Sequence, residues 1–159
     1  MDSNILDIID NLIHQYQKFP NLNTYTHMAA VVGPNNKICT RGINDSYRSP
    51  RNGSEFKIHA EMDAVDKLNF AREIKKRKKR EILVVDLFVI RANKNGELKN
   101  SKPCQQCLNY INQRRKLIGF KINYIYYSNE NSDIICSKFS DLLSEDDKFI
   151  SRYFRTREN

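Results

Sequence analysis

Residues 81–91 read EILVVDLFVIR, an almost unbroken apolar run rich in β-branched side chains. A strand wet on one face alternates apolar with polar residues, so a run without alternation predicts a central strand covered on both faces. Such a strand needs helices above and below it, and the flanking sequence supplies them. Upstream, a polar loop over residues 44–58 gives way to helical spacing from His59, with Met62, Val65 and Leu68 on one side. Downstream, Asn93-Lys94-Asn95-Gly96 turns the chain. Pro103 then suits the first turn of a helix, whose stripe of Leu108, Ile111 and Ile118 ends near Gly119.

Further out, residues 26–33 (THMAAVVG) and 37–43 (KICTRGI) flank Pro34-Asn35-Asn36, a turn of hairpin length, and are predicted to pair antiparallel. Ile5, Ile8, Ile9, Leu12, Ile13 and Tyr16 share one helical stripe that stops before Pro20. Residues 121–127 (KINYIYY) and the later Ile134-Ile135-Cys136 read as two strands. The link between them is too short for a crossover helix, so they too should be antiparallel. Ser144-Glu145-Asp146-Asp147 looks like a capped helix start, followed by the apolar stripe Phe149, Ile150, Tyr153 and Phe154. The expected order is α-β-β-α-β-α-β-β-α, one domain over residues 1–159 with no repeat or low-complexity linker.

Composition narrows the function classes. The N-terminal segment carries acidic residues where a secretory signal would be positive, and its apolar residues are spaced, which predicts a soluble, cytoplasmic protein with no membrane partner. Four cysteines in 159 residues, two of them in a C-x-x-C, suit metal binding in a reducing compartment better than a disulfide framework. The net charge of +8 includes six charges in one run from Lys75 to Arg80, leaving +2 for the rest. That run is either a solvated helix end, where cations meet the negative end of the dipole, or a contact for nucleic acid or nuclear import.

Two short motifs carry the chemistry: His59-Ala60-Glu61, and Pro103-Cys104-Gln105-Gln106-Cys107. One imidazole and two thiolates make three ligands for zinc and leave the fourth tetrahedral position for a water or hydroxide. Cys104 and Cys107, one helical turn apart, can reach one ion, and helix N-termini at His59 and Cys104 favour thiolates. Glu61 is not needed by a closed structural site, in which His14, His27, Cys39 or Cys136 would complete the tetrahedron. Cys39 and Cys136 fall in predicted strands, where a small buried apolar side chain is their expected role.

H-x-E followed by P-C-x-x-C is the signature of zinc deaminases acting on cytosine or adenine. The chain resembles the cytidine and deoxycytidylate deaminase superfamily. The resemblance implies an α/β, three-layer fold with a five-stranded mixed sheet flanked by helices, the last two strands antiparallel. It implies one zinc per chain on His59, Cys104 and Cys107, with Glu61 as proton shuttle in hydrolytic deamination of a cytosine nucleoside or nucleotide. It further implies that Asn44 contacts the sugar, that the backbone of Ala60 and the carbonyl of Ser101 hold the pyrimidine edge, and that the protein forms homo-oligomers. Tyr47, Arg48 and Arg51 lie in the loop that would overhang the site, where an aromatic face can stack on a base and guanidinium groups can meet a phosphate.

The resemblance divides over substrate size. An antiparallel final pair is a feature of deaminases of free nucleosides. Those enzymes, however, typically place Glu where Ser46 stands and Cys where His59 stands, which leans toward nucleotides or polynucleotides. Two alternatives therefore stand beside the monomer deaminase. In an RNA- or DNA-directed enzyme, the run from Lys75 to Arg80 and the Arg114-Arg115-Lys116 cluster would track phosphates; in a non-catalytic module, the zinc domain would serve binding alone.

Overall fold

The computed structural model describes residues 3–17, 26–44, 58–71, 81–93 and 95–145. Helix α1 (Ser3–Gln17) is followed by strands β1 (Thr26–Val32) and β2 (Ile38–Ile43), joined through a single 3-10 turn at Pro34–Asn36. Helix α2 (Ala60–Leu68), strand β3 (Leu83–Ala92), strand β4 (Leu98–Lys99) and helix α3 (Gln105–Ile118) come next. Strands β5 (Phe120–Ser128) and β6 (Ile134–Lys138) and a short helix α4 (Phe139–Ser144) complete the described chain.

The sheet runs β2-β1-β3-β5-β6, with β4 pairing β3 off that path. It therefore has six strands, not the expected five. The extra strand forms because Asn93 closes a tight turn. Its Oδ1 accepts from the amides of Asn95 and Glu97 at 2.9 Å each, and Gly96 takes a positive φ of 81°. This folds Leu98 and Lys99 back against Ala92 and Arg91. A two-residue strand carries no periodicity, so nothing in the sequence marks it.

β1 lies antiparallel to β2 and β3, β3 lies parallel to β5, and β5 lies antiparallel to β6. The two predicted antiparallel pairs are thus present. The parallel pair is bridged by α3, as a crossover requires. β2, β3 and β5 consequently run the same way, and their C-terminal ends share one edge of the sheet.

The two faces carry separate cores. α1 sets Ile8, Ile9 and Leu12 against Met28, Ala30, Val32, Phe88 and Ile90. On the other face α2, α3 and α4 bring Val65, Leu68, Leu108, Ile111, Phe139 and Leu142 onto Ala29, Val31, Leu87, Val89 and Ile125. The double burial predicted for the central strand holds from Leu87 to Ile90, but Val84 is exposed and Asp86 half-buried at its start.

The described residues end in a short helix that the sequence reading does not include. α4 spans Phe139–Ser144, so Ser144 ends a helix where it was expected to cap the start of one, and its hydroxyl donates back to the Asp141 carbonyl at 3.1 Å. The apolar stripe from Phe149 to Phe154 and the basic run from Lys75 to Arg80 lie outside the described residues. Cys136 is exposed and Cys39 half-buried, because β6 and β2 are the two outer strands of the sheet; neither is the buried apolar side chain expected. No helix among the described residues is long and apolar enough to cross a membrane.

Candidate metal centre

The edge where β2, β3 and β5 end is where the two motifs converge. His59 is the N-cap of α2, its backbone extended, so that helical geometry begins one residue later than the sequence spacing suggests. Cys104 occupies the same position on α3, with Pro103 just before the helix and Cys107 in its first turn. His59 Nδ1 lies 3.0 Å from Cys107 Sγ and 3.7 Å from Cys104 Sγ, and the three ligand atoms fall within 4.8 Å of one another. A tetrahedral zinc with Zn–S near 2.3 Å and Zn–N near 2.0 Å has ligand–ligand edges of about 3.5–3.8 Å, so the observed spacing can hold one ion. No fourth His, Cys, Asp or Glu among the described residues joins the group. His14 and Cys136 are exposed, and the Cys39 thiol faces the Lys37 carbonyl.

The electrostatics match a site built for a cation. The Cys104 thiol is held down to about 4 by the hydrogen bond from Cys107, helped by His59 against the opposing effect of burial. Cys107 is pushed well up by that same pairing and by its burial. His59 is raised, chiefly by bonding to Cys104, although its ring nitrogen lies nearer Cys107. Both cysteines stand at the positive end of a 14-residue helix, which also favours thiolate.

Glu61 is 3% exposed, in the first turn of α2, and its carboxyl interacts with Cys107. Burial raises its pKa above the ordinary carboxylate range, with His59 pulling the other way. Its Oε2 is buried and has no hydrogen-bond partner among the described residues. An unpartnered buried carboxylate oxygen costs roughly 1–3 kcal/mol or more, which a fold retains where something else makes use of it.

The neighbouring predicted residues are placed as follows. Asn44, exposed at the end of β2, accepts from the Ala60 amide through Oδ1 at 3.1 Å and donates its own amide to the His27 carbonyl at 3.2 Å. It thereby satisfies the first free amide of α2 and ties the strand end to the helix that carries His59. Ser101 is buried between strands. Its Oγ donates to the Val89 carbonyl at 2.8 Å and accepts from the Ser128 amide at 2.8 Å, fixing the approach to Cys104. Tyr47, Arg48 and Arg51 lie outside the described residues.

Sequence reasoning missed the contacts that position the two helices. Asp66 of α2 accepts from Tyr110 Oη at 2.7 Å and from Arg114 Nε at 2.8 Å, both on α3, so one carboxylate ties together the helices that carry the ligands. The spacing of Tyr110 and Arg114, one turn apart on one face, is the signal that could have found it. Gly42 of β2 is the second. A Cβ there would sit 2.0 Å from the Ala60 carbonyl oxygen and 2.4 Å from the Ala64 nitrogen, so the strand touches the helix backbone directly. Around that contact Thr40 Oγ1 donates to the Ala64 carbonyl at 2.7 Å, and the Ile43 amide donates to Asp63 Oδ2 at 3.3 Å.

No protein-family model matches this chain, and no curated protein matches it. What fold and site define is a mixed α/β protein with a His/Cys/Cys group, suited to one metal ion, at the edge where its like-directed strands end.

Proposed function

We propose that this chain is a zinc-dependent hydrolytic deaminase that converts a cytosine nucleoside or nucleotide to its uracil form and releases ammonia. The observation that carries the reading is Glu61: a buried carboxylate with an unpartnered oxygen, set beside three metal-ligating atoms that need no carboxylate to hold an ion. The donor set suits zinc, since imidazole and thiolate are its preferred ligands and three of them leave one position open. A zinc ion held there supplies Lewis acidity that brings the ionisation of water down to about pH 7.

The chain's own residues do the rest. His59, Cys104 and Cys107 hold the ion on two rigid helix starts. Glu61 accepts a proton from the attacking water and passes it to the pyrimidine ring nitrogen, then takes the second proton from the resulting hydroxyl and hands it to the departing amine, which leaves as ammonia. The water oxygen becomes the new carbonyl, and the bond from ring carbon to exocyclic nitrogen breaks. Burial serves this role, because a carboxylate with a raised pKa is a better proton carrier near neutrality. In this reading Asn44, whose Oδ1 accepts from the Ala60 amide, would contact the sugar, and the carbonyl of Ser101 would hold the base, as the resemblance implies.

The test is the ultraviolet absorbance change when zinc-loaded protein meets cytidine, deoxycytidine, their monophosphates and cytosine-containing single strands. Turnover of a monomer that disappears in Glu61→Ala, with zinc and fold retained, is the expected result. Turnover of strands alone would replace the substrate class, and silence on all of them would leave a metal-binding module.

A further inference from the structure

A second site lies at the opposite end of the sheet. A cavity of about 460 Å³ opens where the C-terminal turn of α3, the first half of β5, the end of β6 and the start of α4 meet. Arg115, Lys121 and Lys138 line it, and no carboxylate among the described residues does. Arg115 is eleven positions beyond Cys104 on the same helix, roughly 16 Å along its axis, so this cavity is separate from the metal centre.

Its wall is built, not merely charged. The Arg115 guanidinium lies 5.6 Å over the Phe139 ring and donates through Nε to Asn112 Oδ1 at 2.8 Å, which fixes the plane of its fork. Lys138 stands directly across from Tyr124 in the β5–β6 register, and Tyr124 is 37% exposed. Ile122 and Phe139 give the cavity an apolar floor. The nearby acids are turned to other work: Asp86 accepts from the Tyr124 amide at 3.1 Å, and Asp141 accepts from Ser140 Oγ at 3.0 Å.

Three cations around a concavity with a partly apolar wall concentrate a field that attracts multiply charged anions. A guanidinium fork held in place matches phosphate oxygens two at a time, and a phosphate monoester carries about −1.5 to −2 charges at neutral pH. The volume falls within the range of small-molecule sites. We propose that this cavity binds a small phosphorylated molecule, its phosphate on Arg115, Lys121 and Lys138 and its flat or apolar body against Tyr124 and the floor. The site stands independently of the deaminase reading.

The experiment is calorimetric titration of the zinc-loaded full chain with pyrophosphate at constant ionic strength. Lys121→Ala/Lys138→Ala and Arg115→Lys are compared with Lys37→Ala, an exposed lysine near the opposite edge of the sheet. Saturable binding in the parent and in Lys37→Ala, weakened at least tenfold in the double variant with zinc content unchanged, is expected. Arg115→Lys, which keeps the charge and removes the fork, should weaken it several-fold. Absence of saturable binding, or equal affinity in the double variant, overturns the proposal, the second by placing the anion elsewhere. Binding of a single-stranded oligonucleotide that depends on Lys121 and Lys138, without pyrophosphate binding, also overturns it, by making the surface a track for a polymer backbone.

Discussion

Gly42→Ala is the sharpest probe of how the metal centre is held. The added methyl would sit 2.0 Å from the Ala60 carbonyl oxygen, and real Cβ atoms essentially never approach closer than 3.0 Å, so strand and helix must part by at least about 1 Å. Both neighbours are backbone, and no side-chain rotation relieves the clash. Overpacking of this kind costs about 1–3 kcal/mol. The parting also stretches the bonds from Thr40 to Ala64, from Ile43 to Asp63 and from Ala60 to Asn44, each worth about 1 kcal/mol. A total loss of up to about 4–6 kcal/mol is expected. Because Ala60 and its neighbours His59 and Glu61 move together, zinc affinity should also fall, and any turnover should drop on the order of a hundredfold. Gly33→Ala is the control: its added Cβ meets the Cys39 sulfur at 2.9 Å, a side chain that can turn aside, and the Lys37 carbonyl oxygen at an ordinary 3.8 Å. Urea denaturation and zinc titration of the two variants read the difference. If Gly42→Ala unfolds within about 1 kcal/mol of Gly33→Ala and retains its metal, the reasoning that β2 sets the position of α2 is wrong.

Other outcomes follow from the same geometry. His59→Ala, Cys104→Ser and Cys107→Ser should each lower zinc stoichiometry, measured by metal analysis after dialysis, from one per chain toward zero, while Glu61→Gln keeps the metal and loses about 10²–10⁴ in turnover. Asp66→Ala, which frees Tyr110 and Arg114, should cost about 1–2 kcal/mol, and a double-mutant cycle with Tyr110→Phe should show coupling; additive effects would mean that the link does not hold the helices together. His27, lowered to about 4 by burial and by the charges of Arg91 and His59, stays neutral in the fold where the unfolded chain takes up a proton near 6.5. Its contribution is therefore intact above about pH 6.5 and is lost as the pH falls to 4, by up to about 3 kcal/mol. His27→Gln should flatten the stability profile in that window, as followed by denaturant midpoints.

The sequence made legible what periodicity and spacing encode. The unbroken run around Leu87 fixed the central strand, the short link after Ser128 fixed the sense of the last pair, and the two motifs brought His59, Cys104 and Cys107 to one point. What stayed hidden depends on single residues meeting across space. Leu98–Lys99 is too short to show a period, Gly42 reveals its role only through the backbone it touches, and Asp66 looks like any solvated helix carboxylate until Tyr110 and Arg114 reach it. The exposure of Cys136 likewise follows from which strand stands at the edge, and strand order is not written in the chain locally.

The ligands come from two helix starts separated by the central strand, with His59 lying 45 residues before Cys104 and 48 before Cys107. An unfolded chain can offer a metal only the C-x-x-C pair, because closing so long a loop to recruit the imidazole carries an entropic cost that no local contact offsets. The full ligand set exists once β3 and β5 have paired in parallel, a non-local event that forms slowly. A metal ion held there would therefore act as a ligand of the native state almost alone, and by mass action each tenfold rise in its free concentration above the dissociation constant would add about 1.4 kcal/mol to stability until the unfolded chain begins to compete. Metal supply would then govern how much of this protein stays folded.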